Sequence, residues 1–354
     1  MTQTHTRPPA GPFALVLQGG GALGAYELGA MRRLYAGPGA GKTKPPAGPA
    51  FEPEVIAGVS IGAITAVLLA RPKGGNPLAA LESFWREVAV ADWLLPPGLG
   101  SFASMFGNPH FFVPRTDYLA LPSWTSLYDI EPLRQTLEKL VDLEALATKG
   151  AKPRLIVSAT DIESGEIEYF DSQQRSLSLD HILASGSLPP AFPMTKIGEK
   201  TYWDGGLFDN TPLGPVIDAL PDGPGNDRVI IVVNLFPNSA QIPSTMLEVG
   251  RRMLNLMFAN RTKQDLRLLE RFNQVADLIE LLDRKLPQNS PIRDEDAFKD
   301  VFKNGYSRVP HVIEITRQTP AGGSDAFNFS PEGIQACAEE GWHDAGTQLG
   351  AFGL

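Results

Sequence analysis

Apolar and polar positions change period several times along this chain, and each change marks an element. Phe13-Ala-Leu-Val-Leu-Gln18 is a short unbroken apolar run ending in glycines, the pattern of a buried strand, and Ala22 to Tyr35 then switches to helical spacing. Residues 37–53, GPGAGKTKPPAGPAFEP, carry too much Pro and Gly for regular structure and read as a surface loop. The unit then repeats: Glu54-Val-Ile-Ala-Gly58 is a second short strand, and Ile61 to Ala70 a helix of small residues. Residues 92–128 break the pattern, with Trp93, Phe102, Phe106, Phe111, Phe112 and Trp124 among Pro and Gly, and read as an irregular apolar insertion.

Further along, Asp129-Ile-Glu-Pro132 predicts a helix start with Asp129 as N-cap and Pro132 where no donor is needed. Arg154 to Thr160 predicts a strand, joined through a hairpin at Ser164-Gly165 to an alternating segment at 166–170. The tract from Asp180 to Pro193 predicts a short helix that stops at Pro189-Pro190. Arg228 to Asn234 is apolar on both faces, as a central parallel strand requires. Ser244 to Leu286 predicts one long or two shorter amphipathic helices, Val309 to Ile315 a last strand, and Ser330 to Leu349 a terminal helix. Strands alternating with helices predict an α/β fold with a parallel sheet covered on both faces.

A length of 354 residues allows one large domain or two small ones, and one is the expectation. With 43% hydrophobic and 20% charged residues the composition is that of a globular chain, which excludes a fibrous or disordered protein. The formal charge of −9, without a Lys/Arg run, argues against nucleic acid as a partner. The single cysteine, Cys337, forms no intramolecular disulfide and rules out a metal site built on thiolates. Met1 to Pro12 is polar and Pro-rich with no apolar core of a leader, and no apolar window nears the roughly 18 residues of a membrane span, so a cytoplasmic location is expected.

Three glycine-rich patterns compete for function. Ala36-Gly-Pro-Gly-Ala-Gly-Lys-Thr43 resembles a relaxed phosphate loop, but a helix precedes it and Lys44-Pro-Pro46 follows, so it reads as a linker. Gly19-Gly-Gly-Ala-Leu-Gly24 satisfies the dinucleotide fingerprint between a strand and a helix, yet the second strand does not end in the acidic residue that would hold a ribose. It ends in Gly58-Val-Ser-Ile-Gly62, a G-x-S-x-G at a strand-to-helix turn. That context makes Ser60 a candidate nucleophile, with Gly58 and Gly62 relieving crowding around a sharply turned serine. Gly19, Gly20, Gly21 and Ala22, at the adjoining strand end, then offer peptide N–H groups for an oxyanion hole. As for a base, none of His5, His110, His181, His311 and His343 sits in a glycine-rich loop after a strand, whereas Asp204-Gly205-Gly206 does.

Together these blocks resemble the patatin-like phospholipases, serine acyl hydrolases that use a Ser–Asp dyad. G-G-G-x-x-G is Gly19 to Gly24, G-x-S-x-G is Gly58 to Gly62, and D-G-G is Asp204 to Gly206, extended by Asp209-Asn-Thr-Pro212; Ala184 to Pro193 resembles the segment ahead of the aspartate. The resemblance covers residues 13–70 and 154–235. It implies a three-layer α/β/α fold with a mostly parallel sheet, Ser60 as nucleophile, Asp204 as proton acceptor, the Gly19–Ala22 amides as oxyanion hole, and Gly24, Gly58, Gly62, Gly205 and Gly206 as supports. It implies no cofactor and no metal, and a lipid or acyl-ester substrate. Leu23 stands where many members have Arg or Lys, which puts neutral esters beside phospholipids as substrates. The resulting organisation is a tail at 1–12, a catalytic region at 13–235 carrying the 92–128 insertion or lid, and a helical extension at 236–354 completing the same domain. Residues 92–128 and 246–258 are expected to wall an acyl pocket or form a lid, and the apolar face of 246–282 to touch a membrane surface transiently. Two other readings stay open: an α/β-hydrolase with Ser60, Asp204 and His311 or His343, and a lipid-binding protein with a weak site.

Overall fold

The computed structural model describes residues 12–37, 51–90, 107–117, 122–221, 228–237, 242–259, 262–303, 311–319 and 325–350. The first eleven residues, residues 38–50 with most of the phosphate-loop-like pattern, and residues 91–106 and 118–121, which take in parts of the expected aromatic insertion, lie outside them.

Strand β1 (Phe13–Leu17) leads through the glycines into α1 (Ala25–Ala36), and β2 (Val55–Gly58) through Ser60 into α2 (Ile61–Ala70). Helices α3 (Pro77–Glu87) and α4 (Glu131–Leu140) precede the long strand β3 (Arg154–Asp161) and its hairpin partner β4 (Ile167–Asp171). Helix α5 (Leu179–Ser185), the hairpin β5 (Thr195–Ile197) and β6 (Lys200–Asp204), and α6 (Leu213–Ala219) lead to β7 (Val229–Asn234). Then come α7 (Met246–Ala259), α8 (Thr262–Lys285), β8 (His311–Thr316) and α9 (Pro331–Gly350).

The sheet order is β8-β7-β1-β2-β3-β6-β5, with β4 also paired to β3. From β8 to β3 all pairings are parallel, with Leu17 beside Gly58 on one side and Val233 on the other. Strands β4, β5 and β6 pair antiparallel, so the sheet is mixed at this edge rather than parallel throughout. Because side chains alternate along a strand, Leu15, Leu17, Ile231 and Val233 face a large core under α1, α2, α3 and α9. Ala14, Val16, Ile230 and Val232 face the opposite core, closed by α6. The architecture is a three-layer α/β/α fold around a mostly parallel sheet.

Helix α9 lies close on α1: a Cβ at Gly29 would run into the Ala338 carbonyl, and one at Gly341 into that of Tyr26. Helix α3 has a start signal in Asn76-Pro77, and Asn76 Oδ1 accepts from the Ala79 amide at 3.0 Å. At α4 the N-cap is Ile130, yet Asp129 Oδ1 still accepts the Glu131 amide at 2.9 Å. Residues 246–285 form two helices, the second of the alternatives the pattern allowed. Among the described residues no helix is long and apolar enough to cross a membrane.

Candidate active site

Both glycine motifs sit at the carboxyl ends of neighbouring parallel strands, where the chain order reverses from β1–β2 to β1–β7, the place at which open α/β sheets form clefts. At the end of β2 the backbone turns sharply into α2. Ser60 has φ 55° and ψ −124°, and among the described residues it is the one non-glycine with a left-handed φ. Such a backbone costs on the order of 1–3 kcal/mol and persists only where its surroundings impose it. Here the Ser60 amide donates to Ser185 Oγ at 3.0 Å, and the Ala63 amide to the Ser60 carbonyl at 2.9 Å. Gly58 and Gly62 are required by contact: a Cβ on Gly58 would collide with the Gly62 carbonyl, and one on Gly62 with the Leu17 carbonyl. Gly24 lies against Ile61 at the start of α2, where its Cβ would be 2.5 Å from Ile61 Cγ1.

Asp204 ends β6, opposite Ala159 of β3, and its backbone is pinned by its amide bond to the Ser187 carbonyl at 3.0 Å and the Thr160 hydroxyl on its own carbonyl at 3.0 Å. The side chain is 2% exposed. Its carboxyl lies against the Ser60 hydroxyl, and Oδ1 accepts the Gly206 amide at 2.7 Å. Burial raises its pKa to about 7; the Ser60 hydroxyl and Gly206 amide pull the other way and offset burial only in part. Gly205 allows the chain to pass β3, since a Cβ there would be 2.5 Å from the Ser158 carbonyl oxygen, and one on Gly206 would be 2.8 Å from Asn210 Oδ1.

No histidine lines this site among the described residues. His311 opens β8, at the amino end of the parallel strands and so at the far edge of the sheet from Ser60, and is exposed. His343 is exposed on α9, His181 caps α5 through Ser178, and His110 lies 3.7 Å from Glu87.

Of the four amides at the end of β1, that of Gly19 is taken, donating to Asn210 Oδ1 at 3.1 Å. Gly20 and Gly21 line the cavity, and among the described residues their N–H groups meet no protein acceptor; Ala22 is buried behind them. Gly21 has φ +60°, and a Cβ on it would press on the Ala326 carbonyl, while one on Gly20 would sit 2.7 Å from Leu235 Cδ1.

Ser60, Asp204, Gly19, Gly20 and Gly21 open together onto a cavity of about 300 Å³. Its walls are mainly apolar: Phe111 and Phe112 of the insertion, Leu188 and Phe192 after α5, Met257 and Phe258 of α7, and Phe327 and Phe329 ahead of α9. Leu23 also lines it, presenting an aliphatic chain. Trp93, Phe102 and Phe106 lie outside the described residues.

Several polar residues build the site without a role assigned to them from the sequence, although Ser185 and Asn210 fall inside the blocks at 184–193 and 209–212. Ser185 supports Ser60, and Asn210 grips Gly19, its Nδ2 donating to the Gly19 carbonyl at 3.1 Å. Gln18 Oε1 accepts the Leu235 amide at 2.7 Å while its Nε2 donates to the Phe258 carbonyl at 3.1 Å, tying β1, the end of β7 and α7 together.

The chain matches a family described as patatin-like phospholipase over residues 15–217, more than half its length. The crystal structure of VipD from Legionella pneumophila aligns with 97% of this chain and 67% of its own, at 16% identity and a TM-score of 0.41. No curated protein sequence gives a significant match.

Proposed function

The chain belongs to the patatin-like phospholipase family of lipid acyl hydrolases, and we propose that it cleaves carboxylic esters of lipids through Ser60 and Asp204. The observation that carries this reading is the strained Ser60 turn, which holds the hydroxyl against a buried carboxyl at the floor of an apolar cavity.

In this reading Asp204 accepts the hydroxyl proton as Ser60 Oγ attacks the ester carbonyl. Gly20 and Gly21 donate their amides to the oxygen that gains charge. Collapse of the tetrahedral species expels the alcohol, which takes the proton from Asp204 and leaves Ser60 acylated. Water then attacks the acyl-enzyme, gives its proton to Asp204, and the carboxylic acid departs as the proton returns to Ser60. A carboxylate of ordinary acidity is too weak a base to deprotonate an alcohol readily; desolvation strengthens Asp204 for this task.

The acyl chain lies along Phe111, Phe112, Phe192 and Phe329, and no lysine or arginine among the described lining residues offers an ion pair to an anionic head group. Neutral and zwitterionic esters are therefore the preferred substrates. Leu207 and Met257 line the cavity and are 40% and 60% exposed, an apolar rim suited to brief contact with a lipid surface.

Ser60→Ala is expected to abolish both ester turnover and labelling by a fluorophosphonate while the fold survives. Labelling that persists in the variant overturns the assignment.

A further inference from the structure

Resting on the serine-hydrolase reading above, we propose that Asn210 is a positioning residue for the oxyanion hole: its carboxamide clamps Gly19 and thereby sets the direction of the Gly20 amide. The clamp has two teeth. The Gly19 amide donates to Oδ1 at 3.1 Å, and Nδ2 donates to the Gly19 carbonyl at 3.1 Å. These two contacts use both polar ends of the carboxamide, and they fix which end faces which way.

The consequence follows from the planar trans peptide. The Gly19 carbonyl and the Gly20 N–H belong to one rigid plane and point in opposite directions across it. Holding the carbonyl against Asn210 therefore holds the Gly20 N–H facing away from Asn210. Three consecutive glycines do not supply this orientation themselves, because each samples a wide range of backbone angles. Were the plane to turn over, a carbonyl oxygen would replace the donor and repel the developing oxyanion. The constraint has to come from a group outside the loop, and Asn210 is well placed to impose it. It is buried, it lines the cavity, and a Cβ on Gly19 would stand 2.5 Å from its Oδ1, so only glycine lets the clamp close.

Asn210 also stands in the same turn as Asp204, with Gly206 packed against its carboxamide. One loop, residues 204–210, thus carries the proton acceptor and orients the donors that receive the charge. Movement of this loop would disturb both at once.

The test compares Asn210→Ala and Asn210→Leu with the parent. Leucine keeps the approximate volume and removes both hydrogen bonds. Each variant is assayed for ester turnover as a function of pH and for inhibition by a matched pair: an alkyl trifluoromethyl ketone, which adds a serine hydroxyl to form an oxyanion, and the unreactive ether of the same chain. Expected are a fall in kcat of roughly 10- to 100-fold with KM changed less than about twofold, and a similar loss of affinity for the ketone. Ether affinity and the pH midpoint set by Asp204 stay where they are, because an uncharged side chain was removed. An unchanged kcat in whichever variant folds, or equal weakening of ketone and ether, overturns the role of Asn210. Turnover that survives Ser60→Ala overturns the hydrolase reading first, and the clamp with it.

Discussion

At the scale of single residues the candidate site combines two unfavourable states: a serine with left-handed backbone and a carboxyl taken out of water. The second has a signature in pH. In the proposed mechanism Asp204 must be ionised to accept a proton, and burial lifts its pKa to about 7, so kcat/KM should fall tenfold per pH unit below about 7 and level off above it. A rate profile with its midpoint near 4, the range of an ordinary aspartate, contradicts this. Asp204→Asn should remove most activity and the acid limb together. Gly21→Ala should lower kcat by about 10²–10³-fold with little change in KM, because the added methyl presses on the Ala326 carbonyl at a backbone angle that alanine resists; a rise in KM alone would make the loop a substrate-binding element instead. Ser60, Asp204 and the glycines were legible in the sequence because each occupies a short motif whose chemistry demands particular residue types. Ser185 and Asn210 fell inside recognisable blocks, 184–193 and 209–212, but their contacts were not legible, since each acts on a residue more than a hundred positions away: 125 residues separate Ser185 from Ser60, and 191 separate Asn210 from Gly19.

At the scale of elements, legibility follows burial. The strands β1, β2, β3 and β7 are buried on both faces and stood out as apolar runs. The hairpin β5–β6 lies at the sheet edge, mixes Lys196, Lys200 and Thr201 with Tyr202 and Trp203, and has no comparable pattern; its turn is set by Gly198 at φ +61°. The aromatic insertion was readable as apolar but not as architecture. Phe111 meets Phe329 with ring centroids 5.1 Å apart and Phe112 meets Phe192 at 5.6 Å, contacts between segments distant in sequence. Since these rings also line the cavity, kcat/KM should climb from acetyl to longer acyl esters, by up to about 0.8 kcal/mol or roughly fourfold for each methylene buried. Phe111→Ala should flatten that series. A flat series in the parent protein would confine Phe111 and Phe112 to core packing. His311→Ala and His343→Ala should leave turnover intact, because both rings are exposed and neither lines the cavity.

At the scale of the whole molecule, the layered order of strands and helices was foreseeable from alternating periods, whereas the closeness of the helices on the sheet was not. Within that packing Glu27 of α1 is fully buried beside Thr65 of α2, and neither carboxyl oxygen has a hydrogen-bond partner of normal geometry. Burial raises its pKa from 4.5 to about 8, with Thr65 offsetting a small part, so the folded protein keeps this proton through neutrality. The effect on stability has a definite sign. Below about pH 4.5 Glu27 is protonated in both the folded and unfolded chains, and it makes no pH-dependent contribution. Between about 4.5 and 8 the unfolded chain releases the proton while the folded one retains it, so stability falls as pH rises, at about 1.4 kcal/mol per pH unit for one proton. Above about 8 the folded chain must hold a buried charge and the loss is complete. Glutamine has nearly the same shape and does not ionise. The Tm of Glu27→Gln relative to the parent should therefore climb steadily across that window and level off beyond it, and Asp204, present in both proteins, cancels from the difference. A Tm difference that stays constant from pH 4 to 9 would mean that Glu27 has found a partner in the folded protein and titrates as an ordinary carboxyl.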